Sequence, residues 1–284
     1  MGAVFGGTAV LEVVLTGASS GIGLACAKAL LQKGYKVYAL SRHATKIESL
    51  EHPHCVRLDC DLQDEGQIIK TTDAILTQEK ELFALINNAG YGMFGALEEQ
   101  PINQARALFE TNLFSVGVLC SRLLPPLRAN TRLRASTRLA PKIINVASSA
   151  GRSTTLFLGW YHASKYALEA YSDCLRAELL PLGVQVALIE PGAIKTKWDA
   201  GLTNALRPKS PYALELEKTH AYFKKAYENA SPASLVANTI IKALESKQPK
   251  TRYLVGKKAH LLVWSKALLP DKIYDWILRK EILK

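Results

Sequence analysis

Cysteine is sparse in this chain and shows no pairing pattern: Cys26, Cys55, Cys60, Cys120 and Cys174 are odd in number and scattered. No Cys-x-x-Cys occurs, so neither a disulfide framework nor a cysteine-held metal is indicated. The thiols read as small core hydrophobes in a reducing compartment. Uninterrupted apolar runs fall short of the ~20 residues that a membrane span needs. The segment Met1–Leu15 has no basic stretch and Glu12 interrupts its apolar part, so it does not read as a signal peptide. Gly6 stands where a myristoylation motif wants Ser or Thr. Internal repeats and low-complexity segments are also lacking. What remains is a 284-residue chain, 48% hydrophobic and 21% charged, with the composition of a globular protein and the length for one substantial core. The expected location is cytoplasmic.

The basic regions lack acid. Arg128, Arg132, Arg134, Arg138 and Lys142 form a run without a carboxylate, and from Lys247 onward ten Lys or Arg face only Asp271, Asp275 and Glu281. These two regions account for the net charge of +11. Such surfaces attract phosphates, anionic membranes or acidic partners, or serve simply as solvated faces. No nucleic-acid motif with interleaved aromatics is present, so nucleic acid is not an expected partner.

Strand-like and helix-like segments alternate. Val10–Thr16, Tyr35–Leu40, Val56–Leu58, Leu82–Ile86, Lys142–Ala147 and Val184–Ile189 read as strands, with Arg252–Val255 as the last. Helical patterns cover Gly21–Lys33, Asp64–Lys80, Asn103–Leu127 (stopped around Pro125-Pro126) and Trp160–Leu182. This alternation predicts an α/β fold: a Rossmann-type, doubly wound parallel sheet of about seven strands, helices on both faces, in a single domain over 1–284. Its core spans about 10–256, a substrate lid about 197–230, and a basic helical tail about 257–284. Ser231-Pro232 opens another helix. In the tail, Ile273, Trp276, Ile277 and Leu283 fall mostly on one face. That face either packs on the protein or a sister subunit, or lies in a membrane interface as a peripheral contact.

In such a fold the site forms past the carboxyl ends of the strands. There Thr16-Gly17-Ala18-Ser19-Ser20-Gly21-Ile22-Gly23 joins the first strand to the first helix. Glycines permit a tight turn and close approach to a pyrophosphate, and the helix N-terminus offers amides and a positive dipole end. The spacing is G-x-x-x-G-x-G, which alone is weak and is equally a structural turn; its position favours a dinucleotide. After the second strand comes Arg42, and no Asp or Glu lies between Gly23 and Glu48. A free ribose 2′-hydroxyl wants an acid there, whereas a guanidinium suits a 2′-phosphate, so NADP(H) is preferred over NAD(H).

Tyr161 and Lys165 are i and i+4, on one helix face, and Ser148 precedes them just past the fifth strand. Reducing a ketone takes a hydride on carbon and a proton on oxygen. A phenol titrating near ~10 needs help at neutral pH. An adjacent ammonium favours phenolate, and a serine hydroxyl can hold the carbonyl oxygen.

Gly17…Gly21-Ile22-Gly23, Asn87-Asn88-Ala89-Gly90, Ser148, Tyr161-x-x-x-Lys165 and Pro191-Gly192-x-Ile194-x-Thr196 together resemble the short-chain dehydrogenase/reductase family, in order and spacing, over about residues 10–196. The resemblance implies Tyr161 as general acid/base, Lys165 binding the nicotinamide ribose and lowering the Tyr161 pKa, and Ser148, preferred over Ser149, orienting the substrate. It implies that Asn112 holds a water in a proton relay. It further implies that Asp61-Leu62 contact adenine, with Asp59 a near alternative in register; that Asn88, Ala89 and Gly90 line the cofactor; and that Pro191, Gly192, Ile194 and Thr196 embrace the nicotinamide. Tyr91-Gly92-Met93-Phe94-Gly95 and Gly159-Trp160 suggest an apolar pocket. With the long tail, they look like members acting on steroids, retinoids or other small lipophilic carbonyls and alcohols. The family commonly forms homodimers or homotetramers through its two long helices. Two alternatives stand beside this expectation: a 3-ketoacyl reductase whose basic patch docks an acidic carrier protein or CoA ester, and a non-catalytic NADP-binding sensor.

Overall fold

A computed structural model describes residues 10–130, 139–196 and 209–284. The sequence begins its regular structure with β1 (Glu12–Thr16), whose β-branched residues are buried on both faces, as strands covered by helices on both sides must be. Next come α1 (Gly21–Gln32), β2 (Lys36–Ser41), β3 (Cys55–Asp59), α2 (Glu65–Gln78) and β4 (Ala84–Asn87). The chain continues through α3 (Ile102–Phe109), a π-turn (Glu110–Phe114), α4 (Ser115–Arg128), β5 (Lys142–Val146) and α5 (Gly159–Leu179). Then follow β6 (Gln185–Pro191), β7 (Ile194–Lys195), α6 (Ala213–Glu228), β8 (Ser231–Pro232), α7 (Ala233–Glu245), β9 (Arg252–Val255), α8 (Ala259–Leu268) and α9 (Asp271–Ile282).

Seven strands form one sheet in the order β3-β2-β1-β4-β5-β6-β9, every neighbouring pair parallel. β7 and β8 make a separate short pair. The expected doubly wound architecture is therefore present. Alternate residues of the strands feed two cores. On one face Val13 and Leu15 meet α1 and α7; on the other Val14 and Leu85 meet α2, α4 and α5. The strand order reverses direction between β1 and β4, where a crevice opens at the carboxyl ends of both.

Several boundaries differ from the sequence reading. The helix placed at Asn103–Leu127 starts at Ile102, includes the π-turn, and carries Pro125 and Pro126 inside its last turn before ending at Arg128. A proline removes the amide that would bond four residues back and crowds the carbonyl there, a disruption that in the last turn shortens the ladder without ending the helix before Arg128. By length and composition this Ile102–Arg128 stretch is apolar enough to cross a membrane, although its uninterrupted runs are short. Its Val116, Leu119, Leu123 and Leu127 lie in the core beneath the sheet, so it is a covering layer of the domain. The tail is two helices, with Pro270 at the N-cap of the second.

Lys142, read as part of a basic surface run, is fully buried at the start of β5. Its ammonium donates to the Ala140 carbonyl at 2.9 Å and sits over the Phe83 ring. Desolvation pushes its pKa down to about 8. Arg132, Arg134 and Arg138 lie outside the described residues, as does the first part of the expected lid, 197–208; the later part forms α6. Cys26, Cys60 and Cys120 are buried, Cys55 is half-buried, and Cys174 is exposed.

Candidate active site

The carboxyl ends of the strands wall a cavity of about 910 Å³. Its floor begins in the turn from β1 to α1. Gly17 and Gly21 take φ of +71° and +52°, the left-handed region where a side chain is strained. A Cβ on Gly23 would lie 2.0 Å from the Gly17 carbonyl oxygen, so this turn closes only around glycine. Gly17, Ser19, Ser20, Gly21, Ile22 and Gly23 all face the cavity. The first turn of α1 holds no acidic residue and the Ser20 side chain makes no capping bond. The positive end of the helix is thus turned to the cavity without a counter-charge.

The end of β1 is tied to the end of β4. Thr16 Oγ1 accepts the amides of Asn88 and Ala89, each at 3.0 Å, and Asn88 Nδ2 donates to the Thr16 carbonyl at 3.0 Å. Asn88, Ala89 and Gly90 form the next stretch of wall. Arg42 projects from the end of β2 as an exposed cation at the rim. Burial raises the Tyr91 phenol while the Arg42 charge opposes that rise. Beyond β3, Asp61 and Leu62 line the cavity. Asp59 is engaged elsewhere: its carboxylate accepts from the Thr45 amide at 2.9 Å and hydroxyl at 2.8 Å, which hold it below the usual carboxylate range. The register therefore places Asp61 and Leu62, not Asp59, at the wall.

Ser148, Tyr161 and Lys165 converge on the same cavity. Ser148 follows β5; its hydroxyl accepts from the Ala150 amide at 3.1 Å and donates to the Pro191 carbonyl at 3.3 Å. Burial pushes the Tyr161 phenol up, and a hydrogen bond with Ser148 opposes the rise. Ser148 rather than Ser149 is thus the serine at the phenol. Lys165 is buried and donates to the Val146 carbonyl at 3.0 Å. Desolvation brings it down to about 8, opposed by Glu169 one turn further along α5. The ammonium of Lys165 is held at the end of β5 by the Val146 carbonyl. Burial favours the protonated form of the phenol.

Asn112 stands behind the wall rather than in it. The π-turn carries it inward, where Oδ1 accepts from the Tyr91 amide at 3.1 Å and Nδ2 donates to the Tyr91 carbonyl at 3.1 Å and to Ser164 Oγ at 3.0 Å. A Cβ on Gly90 would come 3.0 Å from Asn112 Oδ1 and 3.4 Å from Lys165 Nζ, so these three residues meet tightly. Pro191, Gly192, Ile194 and Thr196 close the far side. Thr196 folds back on the glycine turn, 3.0 Å from where a Gly21 side chain would begin.

Other wall residues carry no motif. His162 is buried with a depressed pKa; Nδ1 donates to the Ala150 carbonyl and Nε2 accepts the Thr155 amide, both at 2.9 Å, which fixes the neutral tautomer. The wall also takes Tyr222, Phe223 and Tyr227 from α6 and Leu262, Leu278 and Ile282 from the tail. Tyr222 and Phe223 lie beyond the reach of the sequence, in which nothing sets their register against the site. Tyr91 and Gly92 line the cavity as expected. Trp160 turns away onto Phe109, and Phe94 joins an apolar cluster with Leu158 and Leu216.

The donor set fits a dinucleotide. Glycine backbone and an unopposed helix end suit a pyrophosphate, and Arg42 suits a further phosphate. The protonated phenol beside a serine hydroxyl suits a carbonyl oxygen that must gain a proton.

Comparison with known proteins agrees with this geometry. The sequence profile described as short chain dehydrogenase matches residues 12–206. A probable short-chain type dehydrogenase/reductase, VdlC, of Helicobacter pylori is 43% identical over 271 residues, covering 95% of this chain and 97% of the relative. The NADPH-dependent 3-dehydrocapnine reductase of Ornithobacterium rhinotracheale is 33% identical over 282 residues, covering 95% and 97%. The crystal structure of a short chain dehydrogenase from Burkholderia cenocepacia in complex with NADP superposes with a TM-score of 0.72 at 25% identity, covering 97% of this chain and 98% of that one.

Proposed function

The chain belongs to the short-chain dehydrogenase family, and from that premise we propose that it is an NADP(H)-dependent oxidoreductase interconverting a small lipophilic ketone and its secondary alcohol. The observation that carries this reading is the convergence of Ser148, Tyr161 and Lys165 on the cavity that also holds the glycine turn and Arg42. The bound nicotinamide supplies or accepts the hydride. The Gly17–Gly23 turn holds the pyrophosphate and Arg42 the 2′-phosphate. Asp61 and Leu62 flank the adenine; Asn88, Ala89 and Gly90 lie along the cofactor, Lys165 holds the ribose, and Pro191 to Thr196 border the nicotinamide.

In the reductive direction the Tyr161 hydroxyl gives its proton to the substrate oxygen, and burial that keeps the phenol protonated suits it to that step. Ser148 orients the oxygen and stabilises charge developing on it. A cationic Lys165, one turn along α5 from Tyr161, lowers the phenol's pKa and stabilises the phenolate left behind, and Asn112 positions Tyr91 at the wall. The apolar tail residues and the α6 aromatics favour a lipophilic substrate. Subunit pairing through the two long helices accords with their exposed Phe114 and Tyr166.

The test is a parallel titration of NADPH and NADH into the wild type, Arg42→Ala and Tyr161→Phe, followed by turnover on a ketone panel. Arg42→Ala is expected to weaken NADPH selectively, and Tyr161→Phe to abolish turnover while sparing NADPH binding. Equal binding of both cofactors to the wild type would overturn the cofactor assignment; persistent turnover in Tyr161→Phe would overturn the mechanism.

A further inference from the structure

The two tail helices each have two functions' worth of surface. Their inner faces are committed to the protein. Ala259 and Val263 of α8 and Tyr274 and Ile282 of α9 are buried, and the Tyr274 hydroxyl donates to the Thr154 carbonyl at 2.6 Å. On that inner side Leu262, Leu278 and Ile282 form part of the cavity wall. Their outer faces are apolar. Leu261, Trp264 and Leu268 of α8 follow i, i+3, i+7 and are 68%, 56% and 74% exposed. Ile273, Trp276 and Ile277 of α9 follow i, i+3, i+4, with Trp276 61% exposed. A monomer in water gains nothing by displaying two tryptophans and four large aliphatic residues on adjacent helices.

The charge of this region selects the occupant. Residues 257–284 carry seven Lys or Arg against three acids. Lys280 lies over the Trp276 ring, which holds a cation and an aromatic at one level, as the boundary between headgroups and acyl chains requires. A second copy on a two-fold axis would set this basic face against itself, which opposes that occupant.

We propose that α8 and α9 form a docking face for an anionic lipid bilayer. Trp264, Leu268 and Trp276 enter the headgroup boundary and the lysines meet lipid phosphates. Because the inner side of the same helices walls the cavity, a docked molecule takes its lipophilic substrate directly from the bilayer; this last clause rests on the proposed carbonyl chemistry, whereas the docking itself does not.

Co-sedimentation of the full chain with phosphatidylglycerol vesicles, against phosphatidylcholine vesicles, tests the docking without any turnover. The wild type is expected to pellet with the anionic vesicles and to release partly as salt screens the lysines. The double variant Trp264→Glu/Trp276→Glu, neither residue being in the cavity wall, is expected to bind at least about tenfold more weakly, with its circular dichroism unchanged. A second variant, Lys272→Glu/Lys280→Glu, reverses two charges while keeping Trp264, Leu268 and Trp276, and is expected to lose the preference for anionic lipid. The proposal is overturned if the wild type does not pellet with anionic vesicles or if both variants bind like it. It is equally overturned if light scattering shows that Trp264→Glu/Trp276→Glu dissociates a wild-type dimer, since a second copy then covers the face.

Discussion

Replacing Glu169 by Gln is expected to stabilise the protein above neutral pH and to do little below pH 5. Glu169, on α5, has a side chain only 7% exposed. Arg252 Nε lies 3.0 Å from Glu169 Oε2 and 3.1 Å from Glu190 Oε1, while its Nη2 lies 2.6 Å from Asp173 Oδ2. Arg152 adds a looser contact to Glu190 at 3.4 Å. Two buried carboxylates thus share chiefly one guanidinium. Desolvation and the neighbouring Glu190 charge raise Glu169 from 4.5 to about 7, against the attraction of Arg252. The folded value is above the unfolded one, so the contribution to stability is full below about pH 4.5 and is lost as pH rises to about 7. The loss amounts to about 3 kcal/mol. Glutamine keeps the shape and an acceptor for Arg252 without the charge. Glu190, freed of a like-charged neighbour, ionises more easily, which acts in the same direction. Urea unfolding of wild type and Glu169→Gln at several pH values gives the difference directly and cancels other titrating groups such as His162. The variant should gain about 2–3 kcal/mol between pH 5 and pH 8 relative to wild type. A flat difference, or a variant that loses ground at pH 8, would refute the reasoning.

Lys142→Met removes a buried ammonium whose folded pKa is depressed to about 8, so the charge penalty is full below that pH and fades toward the unfolded value of 10.5. Allowing for the lost bond to Ala140, the variant should be about 2 kcal/mol more stable at pH 7 by urea unfolding, with the gap closing near pH 10. Asn112→Ala leaves the Tyr91 amide and carbonyl without their side-chain partner. It should cost about 2 kcal/mol in the same assay, with KM for the ketone rising more than the NADPH Kd.

Much of the architecture was legible because its physics is local in sequence. Apolar β-branched runs such as Glu12–Thr16 and Gln185–Pro191 can be little other than buried parallel strands, and glycines at 17, 21 and 23 mark a turn that only glycine can close. The meeting of the glycine turn, Ser148, Tyr161 and Lys165 at one cavity was legible through motif spacing. What was not legible depends on packing between distant segments. Lys142 reads as surface charge until β5 is placed inside the sheet, between β4 and β6. The π-turn that moves Asn112 behind the wall has no spacing signature. Trp160 reads as a pocket residue until Phe109 is placed beside it. The inner wall from α6 and the tail depends on how those helices fold over the sheet, which no local pattern fixes.

The tie between Thr16 and Asn88 joins residues 72 positions apart in the chain. Local helix formation cannot make it; it exists only once β4 has inserted beside β1, after the loop-closure entropy of the intervening segment has been overcome. The cradle therefore matures with the sheet as a whole, and no partly folded chain has it ready. A ligand seated there is linked to the unfolding equilibrium of the entire domain, so its affinity is readable as a shift in global melting temperature. The amide protons of Asn88 and Ala89, held by one threonine oxygen, should exchange with solvent only through that same global opening.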